Sequence, residues 1–244
     1  MSAHTPSPTF RPLYQQIKLL ITQGLVSGEW RPGEVIPSET DLATRYSVSQ
    51  GTVRKAISDL AKENLLVRHQ GKGTFVASHN EAQRKFHFLR IAADKGDHVY
   101  PEGELISCYR GKADKSTAKL LEIKPGSGIL VIHRYMRMAG NPVMLEEIHL
   151  PSSVFKGLSA ARINQYHCHL YSMFESAYQI RILQVAEQIK AVLADAGTAK
   201  MMGVAAGSPL LAIERVSYTY GDKPVEWRRI YCNTQSHSYV NKIV

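Results

Sequence analysis

Six cations gather in one short stretch of this chain. Arg45, Arg54, Lys55, Lys62, Arg68 and Lys72 face only Asp59 and Glu63 between positions 45 and 72. Such a cluster can grip a polyanion, because each cation neutralises a phosphate and releases a condensed counterion. Gln50 and Arg54 could also read base edges, since an arginine fork matches guanine and a glutamine amide matches adenine. Farther along, Arg134 and Arg90 supply planar donors suited to a carboxylate. His169 and Tyr171 can donate to further oxygens, and Glu146 and Glu226 can accept from hydroxyl or amino groups. The first set implies a grip on an extended polyanion; the second has the donors and acceptors that a small polar anion needs, but its members are scattered along the chain and their spacing does not gather them.

Positioning the first set requires helices. Pro12 fits a helix start, and Leu13, Ile17, Leu20, Ile21 and Leu25 recur at three- to four-residue spacing, which predicts one buried stripe ended by Gly28 and Pro32-Gly33. Pro37-Ser38-Glu39-Thr40-Asp41 reads as a second helix start, the Ser38 hydroxyl accepting from the amide three residues on while Asp41 reaches back. Leu42, Ala43 and Tyr46 form its inner face. Ser49 then caps a third helix with Val53, Ala56, Ile57 and Leu60 inside and Gln50, Gly51, Arg54, Lys55 and Ser58 outside. Two strands around Gln70-Gly71-Lys72-Gly73 follow, so the segment predicts a helix-turn-helix with a glycine-tipped wing.

The run PSETDLATRYSVSQGTVRKAISDLAKENLLVRHQGKGTFVA closely resembles the DNA-binding domain of the GntR family of regulators. The resemblance implies contact with operator DNA from Ser38 and Glu39 at the second helix start, from Ser49, Thr52 and Arg54 on the third helix, and from Gln70, Gly71, Lys72 and Gly73 in the wing. Thr40, Arg45, Gln50 and Lys55 complete the candidate set. The family usually places arginine at Gln50 and often at Thr40, so the operator is expected to depart from the usual one at the base pairs affected.

Residues 1–77 are thus read as a winged helix-turn-helix domain, 78–85 (SHNEAQRK) as a polar linker, and 86–244 as a second domain. An internal repeat runs through the last. Thr117-Ala118-Lys119-Leu120 matches Thr198-Ala199-Lys200-Met201 at an offset of 81 residues, and the match extends to Arg134 against Arg215 and into the turns beyond. Each unit is a short helix, a Gly-Ser corner and a β-hairpin, and the two are expected to pair into one antiparallel sheet, covered by a helix near Leu170–Phe174, with a pocket between repeats. The whole chain is therefore α+β. This arrangement resembles the UTRA effector-binding domain, of chorismate-lyase-like fold, of HutC-type GntR regulators. That resemblance implies an effector site from Phe88, Leu89 and Arg90 after the first strand, Arg134 and Glu146 on the first hairpin, His169 and Tyr171 at the covering helix, and Glu226 and Tyr231 on the last hairpin. Met136 stands where a second arginine is common and His169 where serine is frequent, which argues for a carboxylate or sugar acid over a sugar phosphate. Glu146 is either a cross-strand partner of Arg134 or a ligand acceptor.

Composition narrows the rest. Residues 1–77 hold nine Lys/Arg against six Asp/Glu and the remainder 21 against 15, so the net +9 does not by itself locate an anionic partner. No apolar run is long enough for a membrane span and the N-terminus lacks a signal pattern, which predicts a cytoplasmic protein with no membrane partner. Cys108, Cys168 and Cys232 are too dispersed for a disulfide framework. His167-Cys168-His169 offers no third ligand, so no metal site and no cofactor are expected. The catalytic motifs G-x-S-x-G, H-E-x-x-H, P-loop and G-x-G-x-x-G are absent, so the enzyme reading is set aside. A purely architectural DNA-binding protein would need no cavity. The remaining expectation is a homodimeric repressor on a palindromic operator, released by a small anion.

Overall fold

The computed structural model describes residues 12–63, 65–77, 88, 90–95 and 101–241. The chain divides into two units, residues 1–78 and 79–244. The linker read at 78–85, and Leu89, lie outside the described residues.

Local capping sets the helices of the first unit. Helix α1 (Leu13–Ser27) ends on Gly28 in the left-handed region. Helix α2 (Glu39–Arg45) begins with a reciprocal box: the Asp41 amide donates to Ser38 Oγ at 3.2 Å and the Ser38 amide donates to Asp41 Oδ2 at 3.2 Å. Helix α3 (Gln50–Lys62) starts where the Thr52 amide donates to Ser49 Oγ at 3.2 Å. Ile17, Ile21, Leu25, Leu42, Val53, Ala56, Ile57 and Leu60 form the three-helix core. Leu13 and Leu20 do not join it, being 50% and 42% exposed, because the buried face of α1 is narrower than the apolar spacing implied. Strands β1 (Leu66–His69) and β2 (Gly73–Val76) pair antiparallel as the wing. Residues 34–36 run beside β2, with the Ile36 amide on Thr74 O and the Val76 amide on Glu34 O. Gly73 is fixed by that neighbour and by its own φ of +111°, since a Cβ there would lie 3.2 Å from Val35 Cγ2.

In the second unit the repeat becomes geometry. The elements run β3 (Ile91–Ala93), β4 (Glu102–Lys112), α4 (Lys115–Leu120), β5 (Gly128–Met138), β6 (Asn141–Pro151), α5 (Ala160–Gln165), α6 (Leu170–Tyr178), β7 (Gln184–Leu193), α7 (Ala196–Met202), β8 (Pro209–Thr219), β9 (Lys223–Cys232) and β10 (His237–Tyr239). The large sheet has the order β4-β5-β6-β9-β8-β7, which reads the same from either edge once the repeats are equated. Asp114 and Asp195, one repeat apart, cap α4 and α7 through the amides of Thr117 and Thr198. Strands β4 and β7, which precede the repeat found in the sequence, are its outer members.

One sheet face carries three bands. Leu130, Ile132, Ile148 and Leu150 pack under α5 and α6 with Phe155, Met173 and Phe174. At the other end Met136, Met138, Met144, Ile213 and Ile230 pack with Ile91 of β3, whose partner β10 ties the end of the unit to its start. Between these apolar bands lies a row of buried charges, and the pocket opens over that row.

Candidate nucleic-acid interface and ligand pocket

On the first unit, α3 turns Gln50, Arg54 and Lys55 outward while its opposite side is buried. The cations are held in place. Glu39 accepts from Arg54 Nε at 2.8 Å and from Arg68 Nη2 at 2.9 Å, so its two oxygens tie α2 to α3 and to the wing. Arg45 is paired with Glu29 and stacks over Trp30 and Tyr46, and Lys55 sits 3.9 Å from the centroid of Tyr14. Gln50 Nε2 reaches Thr40 Oγ1 at 3.4 Å, joining the two positions where arginine had been the usual choice. Lys72 is exposed at the wing tip beside Gly71, whose φ is +73°. Ser38 and Ser49 stand at the helix starts with their hydroxyls engaged in capping, and Gln70 and Gly73 flank the tip.

The pocket of the second unit is an open cleft with a mixed polar and apolar lining. It brings together Phe88, Arg90, Arg134, Glu146, His169 and Tyr171 from the sequence-predicted set. Phe88 and Arg90 lead into β3 rather than following a described strand. His169 is the N-cap of α6, whose first turn lines the pocket and directs its positive dipole end there.

Two members of the predicted set fall elsewhere. Glu226 is fully buried behind the wall, where its carboxylate accepts from Tyr171 Oη at 3.0 Å, Ser217 Oγ at 2.9 Å and Arg228 Nη2 at 2.8 Å. Tyr231 is on the opposite sheet face, beside Lys190, Glu214 and Arg229, because odd and even residues of β9 alternate across the sheet.

Sequence reasoning missed Arg215 and Arg228, both buried pocket residues. The signal for Arg215 was present: the repeat equates it with Arg134. The position at Met136 therefore does not leave the site with a single deep arginine.

These charges form a chain of pairs. Arg134 and Glu146 are direct cross-strand partners joined through Nε, so the structural alternative for Glu146 is realised. Arg228 Nη1 donates to the other Glu146 oxygen at 2.8 Å. Arg215 Nε donates to Glu187 at 2.7 Å and its Nη2 to the Phe88 carbonyl at 2.6 Å. Burial alone would raise the Glu146 carboxyl, but the charges of Arg134 and Arg228 override it and hold it at about 2. Burial likewise pushes the Tyr171 hydroxyl upward, and nearby Glu226 adds to that, so it stays a neutral donor. Arg134 Nη1 also donates to the Cys168 carbonyl. That carbonyl belongs to a corner in which His167 and Cys168 have φ of +48° and +58°, conformations costly for residues with a Cβ. Gly103 lets β4 approach this corner, since a Cβ there would lie 2.5 Å from Cys168 Cβ.

Comparison with known proteins agrees with both halves. The gntR-family pattern of bacterial regulatory proteins matches residues 13–76 and the UTRA-domain pattern matches residues 97–238. The chain belongs to the GntR family. It is a UTRA-containing GntR transcriptional regulator, and its relatives carry the names of regulators and repressors rather than enzymes. It is 29% identical over 228 residues to the HTH-type transcriptional regulator YurK of Bacillus subtilis, spanning 91% of this chain and 89% of that one. It is 27% identical to the HTH-type transcriptional repressor NagR of the same organism, over 99% and 98% of the two chains. The crystal structure of the ligand-binding domain of a GntR-family regulator from Bordetella bronchiseptica superposes with a TM-score of 0.63 at 33% identity, covering 64% of this chain and 98% of that domain. GntR regulators with a UTRA domain bind operator DNA through the first unit and a small effector through the second. Among the described residues no helix is long and apolar enough to cross a membrane.

Proposed function

We propose that this regulator is a repressor that grips a palindromic operator as a homodimer in the cytoplasm and releases it when a small anion fills the pocket at the start of α6. One observation carries the reading. The pocket wall keeps unused guanidinium donors: among the described residues Arg134 Nη2, Arg215 Nη1 and the Arg90 head group have no hydrogen-bond partner. A carboxylate matches such planar donors. A carboxylate or sugar acid suits the wall better than a sugar phosphate, because Arg228 spends all three nitrogens on Glu146 and Glu226.

At the operator, α3 enters the major groove with Gln50, Arg54 and Lys55, while Ser38, Thr40, Ser49 and Thr52 flank it. Arg45 and the wing residues Gln70 to Gly73 meet the backbone, and Glu39 orients Arg54 and Arg68. The anion must bind one arrangement of the protein more tightly than the other, since equal affinity would shift nothing.

The test is a titration of candidate carboxylates against operator-bound protein, wild type beside Arg90→Ala. The variant removes a charge without stranding a buried partner, and it should need more anion for release. An identical response by both proteins places the effector elsewhere. Sedimentation of the free protein as a monomer that also binds DNA singly overturns the dimer.

A further inference from the structure

The pocket has a second character that the charge row does not use. Directly beside the arginines, Met136 and Met144 face each other across β5 and β6, and Ile213 and Ile230 face each other across β8 and β9. All four line the pocket, and Ile91 adds to them from β3. The floor is therefore polar at the α6 end and hydrocarbon at the β3 end.

The charges at the polar end nearly cancel. Arg134, Arg215 and Arg228 are matched by Glu146, Glu187 and Glu226 through ion pairs. Arg90 alone, half-buried at the pocket, has no counter-ion among the described residues. The carboxylates that could have accepted from a sugar's hydroxyls are committed to these arginines: both Glu146 oxygens and both Glu226 oxygens already receive guanidinium hydrogen bonds.

From this we infer that the effector is an amphipathic monocarboxylate, its single negative charge set toward Arg134 and Arg90 and its hydrocarbon or aromatic body laid on Met136, Met144, Ile213 and Ile230. The inference rests on the effector-pocket reading above and narrows its ligand class. A dianionic phosphate would bring one charge more than the wall leaves unmatched. A polyol acid would set hydroxyls on a surface of methyl and thioether groups, where they lose their water without gaining partners.

The experiment is isothermal titration of the full-length protein with acetate, butyrate, hexanoate, 3-phenylpropionate, gluconate, glucose 6-phosphate and inorganic phosphate. Each methylene laid on the floor should tighten binding about fourfold until the cavity is filled. Hexanoate and 3-phenylpropionate should thus bind far more tightly than acetate, and more tightly than gluconate or either phosphate. Ile213→Thr should flatten the chain-length gain, so that the ratio of hexanoate to acetate affinity falls. Met136→Arg, if it folds, should move preference toward glucose 6-phosphate. Tighter binding of gluconate or glucose 6-phosphate that is weakened by Arg90→Ala overturns the ligand class and leaves the pocket standing. Hexanoate no tighter than acetate, or no binding by any monocarboxylate, also overturns the class. Monocarboxylate binding indifferent to both Arg90→Ala and Ile213→Thr overturns the pocket itself.

Discussion

Replacing Glu146 with glutamine keeps the shape of the side chain and removes the charge that Arg134 and Arg228 share. The carboxyl falls from its ordinary 4.5 to about 2 in the fold. At about 1.4 kcal/mol per unit, that depression corresponds to roughly 3 kcal/mol of stability. The sign follows from a folded value below the unfolded one: the stabilisation is complete above the unfolded carboxyl value and is lost as pH drops through the folded one. Removing one partner of a buried pair leaves the other charge stranded, at a cost on the order of 3–5 kcal/mol. For a domain of this size such a loss lowers the melting midpoint by on the order of 10 °C at neutral pH. Differential scanning calorimetry of the full chain should show this drop, and the gap between variant and wild type should close as the pH falls from about 4.5 toward 2. Glu214→Gln is the control. Its pair with Arg229 is 44% and 37% exposed, so screening leaves a change of about 1 kcal/mol or less. A Glu146→Gln midpoint indistinguishable from that of Glu214→Gln would refute the claim that the buried row holds the pocket together.

Three further outcomes concern the DNA-binding unit. Lys72→Ala should weaken all duplexes alike and reduce the slope of log affinity against log salt by about 2, one for each copy in the dimer, as measured by fluorescence anisotropy; a loss confined to one sequence would argue against a phosphate contact. Gln50→Arg should move base preference toward guanine at one symmetric pair of positions in a selection from random duplexes, and an unchanged selection would show that Gln50 does not face the groove. Glu39→Gln should raise affinity for random DNA by removing a negative charge, and should lower the ratio of operator to random binding because Arg54 and Arg68 lose their shared anchor. An unchanged ratio would deny Glu39 a positioning role.

The sequence exposed those features that depend on local spacing. Ser38 with Asp41 and Ser49 with Thr52 are readable because capping needs particular side chains at particular offsets. The two halves of the sheet were readable because a repeat leaves the same residues one period apart, Arg134 and Arg215 among them. What stayed hidden depends on pairing across strands. Tyr231 and Arg228 are three residues apart, yet one faces a shallow hollow and the other the pocket, and only the register of β9 against β6 and β8 decides which. Glu226 illustrates the same limit, since its burial behind Tyr171 follows from how α6 lies on the sheet. Leu13 and Leu20 show that apolar spacing marks a helix without fixing how much of its surface is covered.

Ligand control of DNA binding is tested most directly by measuring the affinity of the tightest-binding carboxylate for the protein twice, free and saturated with a selected operator. Thermodynamic linkage requires the operator to weaken carboxylate binding by the same factor as the carboxylate weakens operator binding. The expected factor is on the order of 5–150, equal in both directions and diminished by Arg90→Ala. Equal carboxylate affinity in the free and operator-bound states would contradict release by a ligand in this pocket.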